Sequence, residues 1–251
     1  MIVLTIDQKA STTRGDLVPA LLERLRATIP ADEAARGFVL PFERTVGDEV
    51  QAVLAADDDG ARLAVVVVGD VLRDGGWSVG VGVGGVDQPL PESSRAAAGP
   101  AFVRARSAVE DAKGRGSSVP ISVVGPPQEP AGTIAGDAQA LLRLLGAVAA
   151  RRSGAGWEAV DMLAEHDGDD APQRAVAARL GVSEQAVSQR LRTALWAEEA
   201  AARPLAARLL RAADAAATTV DHRDDGPRDG TGDDPDGPDG DPDDDPDETE
   251  G

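Results

Sequence analysis

Side chains able to hydrogen-bond nucleic acid recur at helical spacing in residues 184–193 of this 251-residue chain. One face of a helix here would carry Gln185, Ser188, Gln189 and Arg192, which lie one, three or four residues apart. An amide or hydroxyl can offer a base edge both a donor and an acceptor, whereas a guanidinium binds phosphate. We therefore predict base contacts from Gln185, Ser188 and Gln189. The predicted phosphate contacts are Arg174, Arg190 and Arg192, with Arg179 as a further candidate.

The residues around this face predict two helices joined by a three-residue turn, over residues 173–194. Gly181 can end the first helix, because glycine adopts positive φ without strain. Ser183 can cap the second helix by accepting from its free N–H groups, and Val187 and Leu191 then point inward. These features in this order are typical of a helix-turn-helix that binds DNA. An ordinary helical hairpin in a helical domain is the alternative.

Helices are also predicted on either side of this motif. Residues 133–152 form an amphipathic stripe, which would tie two domains together or make a dimer contact. The second helix of the motif is expected to run on to Ala202, and Pro204 is expected to break it. Residues 205–216 would then form a final, separate helix.

The net charge of −19 is unevenly distributed along the chain. Residues 221–251 contain 15 acidic and two basic side chains, a net charge of −13, whereas residues 171–211 contain seven arginines and three acids. The net charge of residues 171–211 is therefore +4, which is compatible with DNA binding although the whole chain is acidic. The Gly/Pro/Asp-rich end, residues 219–251, is predicted to be disordered. It would be a solubility tail or a DNA mimic that competes for the basic surface.

Several classes of protein are disfavoured by composition. The chain has no cysteine, so it forms neither disulfides nor a thiolate zinc site. No basic segment precedes the apolar start, as a signal peptide would need. No apolar run is expected to approach the ~20 residues of a membrane helix. We therefore predict a cytoplasmic protein with no membrane partner.

Residues 1–126 predict the element order β-α-β-β-α-β-α-β. That order is typical of a ferredoxin-like α/β sandwich with one added unit. Valine and glycine alternate strictly in residues 79–84, which predicts a strand with a glycine face that another backbone can approach closely. The same glycines spell G-x-G-x-x-G, but they lie within a strand and no helix starts among them. A dinucleotide-binding loop is therefore disfavoured.

Two aspartates of this half are candidate metal ligands. Asp7 ends the first predicted strand, and Asp48 lies in the turn of a predicted hairpin. The first strand is expected to pair centrally beside that hairpin, which would bring the two carboxylates together. Such a pair suits Mg²⁺, which prefers oxygen ligands. The alternative is two solvated turn residues, since aspartate is common in turns.

Four stretches of this half resemble the catalytic domain of class III nucleotidyl cyclases. Residues 7–12 (DQKAST) are similar to the family's D-I-x-G-S-T loop, and residues 44–48 (RTVGD) to its K-T-x-G-D turn. Residues 79–86 (VGVGVGGV) are similar to its I-G-I-H-x-G-x-V strand, and residues 99–106 (GPAFVRAR) to its G-x-x-V-N-x-A-A-R helix.

This resemblance implies that Asp7 and Asp48 are the two metal-binding aspartates. The family's catalytic asparagine falls at Val103, and its transition-state arginine falls at Ser107. Valine cannot hydrogen-bond ribose, and serine cannot stabilise developing phosphate charge as arginine would. The resemblance thus implies a cyclase-like fold without a working cyclase, and no catalytic residue is predicted.

A second resemblance, over about residues 1–212, is to the SatD family of bacterial proteins. Residues 47–54 (GDEVQAVL) are similar to its G-D-E-F-Q-G-L-L signature, and residues 99–106 to its G-P-A-F-x-x-A-R segment. Residues 180–191 are similar to the helix-turn-helix that ends those proteins. This resemblance implies a cyclase-like domain, for sensing or dimerisation, joined to a DNA-binding domain.

Together these patterns predict an α+β protein in four parts. They are a cyclase-like α/β domain (1–126), a linker and connecting helix (127–152), a helix-turn-helix domain (153–218) and a disordered acidic tail (219–251). The predicted function is a transcriptional regulator that binds double-stranded DNA as a homodimer, with a nucleotide as a possible effector. One alternative is a Mg²⁺-dependent nucleotide-binding enzyme, and another is a module that binds only protein.

Overall fold

The computed structural model describes residues 1–114, 118–166 and 170–224. Over these residues the chain is α+β, with a five-stranded mixed sheet followed by a helical C-terminal region. The strands are β1 (Ile2–Gln8), β2 (Phe38–Arg44), β3 (Glu49–Leu54), β4 (Trp77–Val83) and β5 (Ile121–Val124). The helices are α1 (Ser11–Arg14), α2 (Val18–Thr28), α3 (Ala31–Gly37), α4 (Asp58–Arg73), α5 (Pro100–Lys113), α6 (Ala131–Arg151), α7 (Gly154–Glu165), α8 (Pro172–Leu180), α9 (Glu184–Thr193) and α10 (Trp196–Asp224).

The sheet has the strand order β2-β3-β1-β4-β5. β1 lies between β3 and β4 and is antiparallel to both, while β5 runs parallel to β4. The predicted central pairing of the first strand beside the hairpin is therefore confirmed. The predicted order of strands and helices is confirmed except between the first two strands, where α1 and α3 flank the one predicted helix, α2. Asp7 pairs with Glu49 in the register of β1 and β3, so the end of β1 lies next to the hairpin turn.

Both outer strands of the sheet are irregular or short. β2 contains the exposed Pro41, and its pairing with β3 shifts register between Phe38 and Leu40 and again between Leu40 and Glu43. β5 has four residues.

The two faces of β4 are covered at different distances, as the alternation of valine and glycine predicts. α5 packs directly on the glycine face: a Cβ added to Gly82 would lie 2.1 Å from the Ala101 carbonyl oxygen, and one added to Gly80 would lie 2.3 Å from the Val109 amide nitrogen. The valine face is fully buried in the larger core, which α2, α4, α6 and α10 cover. Glycine is thus required because a helix backbone occupies the place of a side chain.

α6 passes the length and composition test for a membrane-crossing helix, which corrects the expectation that no segment is so apolar. Its many alanines and leucines explain the result. Three of its residues, Ala138, Leu142 and Leu145, are buried in the core above the sheet. α6 therefore packs one face on the core and leaves most of its apolar stretch exposed, and the cytoplasmic location stays a prediction.

The C-terminal helices divide between two apolar clusters. α7, α8 and α9 share a cluster of their own, made of Ala159, Val160, Val176, Ala177, Val187, Leu191 and Ala194. The second half of α10 instead joins the core above the sheet through Ala206, Ala207, Leu210, Ala213 and Ala217. α10 therefore connects the helical region to the sheet.

The predicted helix break at Pro204 is wrong, because Pro204 lies inside the continuous helix α10. An interior proline removes one helix hydrogen bond and costs about 3 kcal/mol. Buried contacts on both sides, at Glu199 before it and Leu210 after it, outweigh that cost. The actual break comes earlier, at Leu195, which has a φ of +53° and separates α9 from α10.

The predicted tail also begins later than expected, because α10 continues to Asp224. Asp221 is buried: its carboxylate accepts from Arg104 at 2.5 and 2.9 Å and from the Gly85 amide at 2.7 Å. These contacts hold residues 219–224 in the helix. The remainder of the predicted tail, residues 225–251, lies outside the described residues.

Candidate nucleic-acid interface

The turn between α8 and α9 is built as its residue types predict. Gly181 has a φ of +65° and ends α8 in the left-handed conformation. The Val182 amide donates to the Ala177 carbonyl at 3.1 Å, which closes the turn. The Ser183 hydroxyl accepts from the Ala186 amide at 3.2 Å and caps α9. The chain therefore reverses in three residues and presents the start of α9 to solvent.

Packing fixes which face of α9 is turned outward. Val187 and Leu191 are buried against Val176 and Ala177 of α8. The small side chain of Ala177 allows the two helix backbones to approach closely. With this face inward, the polar residues between Val187 and Leu191 must face away from the cluster.

The predicted base-contact residues lie together on that outer face. Gln185, Gln189 and Arg192 are exposed, and Ser188 is half-buried. Arg192 donates to the Gln189 side-chain oxygen at 2.8 Å, and the Ser188 hydroxyl donates to the Gln173 side-chain oxygen at 2.7 Å. Neutral polar groups therefore hold these side chains in place, and a base or phosphate can replace such partners.

The predicted phosphate contacts differ in how far they are neutralised. Arg190 pairs with Glu158 at 2.8 Å, Arg179 with Glu165 at 3.2 Å and Arg174 with Glu184 at 3.9 Å. Arg192 has no carboxylate partner within the ranges that the structure describes. Exposed pairs of this kind contribute about 0–1 kcal/mol, so phosphate can compete with their carboxylates. A phosphate that binds Arg192 would not have to displace a carboxylate of the described residues.

A groove with a volume of about 1060 Å³ separates the α7–α9 cluster from α3 and α4. Ser188 and Arg192 line one wall, together with Trp196 at the start of α10. Glu33 and Asp70 lie on the wall that α3 and α4 form. The sequence analysis did not find this groove, because its two walls are more than 80 residues apart in the chain.

Arg152 is a buried residue beside this interface that the sequence analysis also missed. Its guanidinium donates to the Ala194 carbonyl at 3.2 and 3.0 Å, pairs with Glu199, and lies 4.4 Å from the centre of the Trp157 ring. The side chain is fully buried. It thus joins the end of α6 to the end of α9 and the start of α10.

The two candidate metal ligands lie at one end of the sheet. Burial raises the pKa of the Asp7 carboxyl; the Lys113 ammonium, 3.0 Å away, opposes that rise, and the nearby charges of Asp48 and Glu49 add to it. Asp7 and Asp48 are therefore close enough to interact. Asp7 already faces the cation of Lys113, and no group of three His, Cys, Asp or Glu side chains able to hold a metal occurs in the described ranges.

The positions of the cyclase family's two missing catalytic residues lie at the other end of α5. Val103 and Ser107 line a separate cavity of about 410 Å³. Val103 is in the first turn of α5, whereas Lys113, beside Asp7, is its last residue. At 1.5 Å per residue, about 15 Å of helix separates Val103 from Lys113. Asp7 and Val103 therefore lie near opposite ends of α5.

The outer face of α9 and the Asp7 end of β1 are thus the two surfaces with polar side chains suited to a ligand. The first presents amides and an arginine that no described carboxylate neutralises. The second presents a carboxylate that is already paired with Lys113.

Comparisons with models of known protein families, with curated proteins and with solved structures gave no match for this chain.

Proposed function

We propose that this chain is a transcriptional regulator that binds double-stranded DNA through α8 and α9. The observation that carries the proposal is the exposed row of Gln185, Gln189 and Arg192 on a helix that begins at a capped three-residue turn. α9 has ten residues and is therefore about 15 Å long. A helix of that length and width fits the major groove of B-DNA, which is about 12 Å wide.

Each outward residue has a role in this proposal. Gln185, Ser188 and Gln189 contact base edges, since they offer donors and acceptors on one face. Arg192 contacts phosphate and sets the register, and the paired arginines of α8 and α9 add phosphate contacts when DNA displaces their carboxylates. α7–α9 form a small module with a small interface, so the proposal includes binding as a homodimer at two half-sites.

The N-terminal half is proposed to be a cyclase-like sensing or dimerisation domain, as the resemblance to the SatD family implies. The strand order β2-β3-β1-β4 supports a ferredoxin-like arrangement, to which β5 is added. The proposed protein is cytoplasmic, and its effector would be a nucleotide bound by this half.

The test is selection of bound duplexes from a random-sequence double-stranded DNA library with the full chain. We expect enriched sites with two half-sites. Gln189→Ala should change the preferred sequence, whereas Arg192→Ala should weaken binding to all sequences alike and lower the salt slope by about one. Arg208→Ala is the matched control, because Arg208 is an exposed arginine on α10 outside the motif. If neither α9 variant differs from the control, α9 does not contact DNA.

A Mg²⁺-dependent reaction on a nucleotide is the second candidate function. The register pairs Asp7 with Glu49, and the Gln8 amide donates to the Asp48 carbonyl at 3.3 Å; this proximity of Asp7 and Asp48 favours it. Val103 and Ser107 disfavour it, since neither can replace the polar residues of a cyclase. Mg²⁺-dependent turnover of a nucleoside triphosphate that Asp48→Asn abolishes would support the enzyme. A chain that DNA-cellulose does not retain would instead indicate a module that binds protein.

A further inference from the structure

The described residues 154–166 and 170–194, which we name the helical unit, have the properties of a body that can turn as a whole. Their apolar cluster is separate from the core above the sheet. The chain enters the unit just after Arg152 and leaves it at Leu195, whose φ is +53°. Arg152 binds the Ala194 carbonyl, so the entry and exit points are adjacent. Two adjacent connections form the axis of a hinge.

The sheet and the helices packed on it, residues 1–114, 118–152 and 195–224, are named the sheet domain. Away from the axis, one ion pair among the described residues joins the helical unit to this domain. Arg73, the last residue of α4, donates to both carboxylate oxygens of Asp161 in α7, at 3.0 and 2.8 Å. The Arg73 guanidinium also lies 4.1 Å from the centre of the Trp157 ring. These contacts hold α7 beside α4 and keep the walls of the 1060 Å³ groove together.

The observed position of the helical unit conflicts with DNA in front of α9. A duplex read by α9 places phosphates on both sides of that helix. On the groove side, Ser188 and Arg192 face the wall that carries Glu33 and Asp70, and Glu198 of α10 lines the same groove. A phosphate backbone entering there would meet the atoms of α3 and α4. The groove walls are mixed in charge, because Arg73 and Arg203 line them together with Glu33 and Glu198, and Asp70 is paired with Arg24. The obstruction is therefore steric.

We propose that the contacts of Arg73 with Asp161 and Trp157 form a latch that holds the helical unit in a DNA-excluding position. Releasing the latch lets the unit turn about Arg152 and Leu195 and opens the groove side of α9 to a duplex. This inference rests on the proposed DNA binding. In this inference the contact between α4 and α7 regulates DNA binding by α9, because a structural change in the sheet domain that breaks this contact releases the helical unit.

The test is DNA binding by the full-length Arg73→Met variant, which keeps the length of the side chain but loses its charge. The latch combines a partly exposed bidentate pair with a cation–π contact, which together bias the equilibrium roughly tenfold. The apparent dissociation constant is inversely proportional to the open fraction, so we expect Arg73→Met to bind a duplex pool about threefold to tenfold more tightly. Loss of a positive charge without a latch would weaken binding.

Arg62→Met is the matched control, because Arg62 lies on the same helix and pairs locally with Asp59. It should bind DNA no more tightly than the unchanged chain. Asp161→Asn provides a second release of the latch. Asp137→Asn, at an exposed position on α6, is its control for the removed negative charge. The charge-swapped double variant Arg73→Asp/Asp161→Arg should return binding towards that of the unchanged chain. Thermal unfolding of each variant checks that it is folded.

The fluorescence of the full chain gives an independent readout without DNA. Trp157 is in contact with Arg73 and Arg152, so releasing the latch should change its emission in Arg73→Met but not in Arg62→Met. Unaltered emission together with unaltered DNA affinity would overturn the latch while leaving the proposed function in place. If neither the unchanged chain nor any of the variants binds a duplex, both the latch and the proposed function are wrong.

Discussion

Replacing Arg152 with methionine should strongly destabilise the junction between the sheet domain and the helical unit. The Arg152 side chain is 0% exposed and that of its partner Glu199 is 4% exposed. Removing one partner of a buried ion pair typically costs 3–5 kcal/mol, because the other charge is left without compensation. Arg203 still binds the second oxygen of Glu199 at 2.6 Å, so the lower end, about 3 kcal/mol, applies here.

Urea unfolding followed by circular dichroism and tryptophan fluorescence would measure this change. A loss of about 3 kcal/mol corresponds to a decrease in Tm of roughly 6–12 °C for a chain of this size. The double variant Arg152→Met/Glu199→Met should recover at least about 1 kcal/mol, since an apolar pair replaces the orphaned charge. Arg36→Met, which breaks an exposed pair with Asp32, should cost less than about 1 kcal/mol. If Arg152→Met costs no more than this control, Arg152 does not tie the junction.

Two further changes test the packing of the sheet domain. Gly82→Ala should lower the free energy of unfolding by about 3 kcal/mol, because the added Cβ would overlap the Ala101 carbonyl. Gly136→Ala, on α6 with no atom nearby, is the control. In the same urea experiment it should be neutral or stabilising by up to about 1 kcal/mol. Asp221→Asn should cost about 2 kcal/mol at pH 7. Burial raises the pKa of Asp221, but the hydrogen bonds from Arg104 and Gly85 outweigh that effect and hold the pKa below its usual range. The charge-dependent part of the cost should therefore be fully present above the unfolded pKa of 3.8 and be lost as the pH falls through the lower pKa of the folded state; a cost that does not decrease in acid would contradict this.

Local signals predicted the elements that local interactions determine. The alternation of valine and glycine in β4 indicated both the strand and the close approach of a backbone, since each follows from residue type at a period of two. Gly181 and Ser183 likewise indicated the turn between α8 and α9, because a positive φ and a side-chain cap need those residues. The outward face of α9 followed from the same helical periodicity.

Features that depend on distant contacts could not be predicted. Nothing in the sequence near Leu195 indicates a positive φ, and Pro204 gave a break signal that buried contacts on both sides of it override. Arg73 and Asp161 are 88 residues apart, so their pairing requires knowledge of the tertiary structure. The same holds for Asp221, which composition assigned to the acidic tail although Arg104 holds it in the fold.

The outer strands of the sheet restrict how two copies of this chain can associate. A second copy approaching β2 would meet Pro41, which has no amide hydrogen to donate, and a backbone whose spacing changes at two register shifts. β5 offers only four residues for pairing. A continuous sheet across two copies is therefore disfavoured at both ends. The homodimer that we propose would therefore join through surfaces other than the sheet edges, and α6 presents Leu144, 62% exposed, on such a surface.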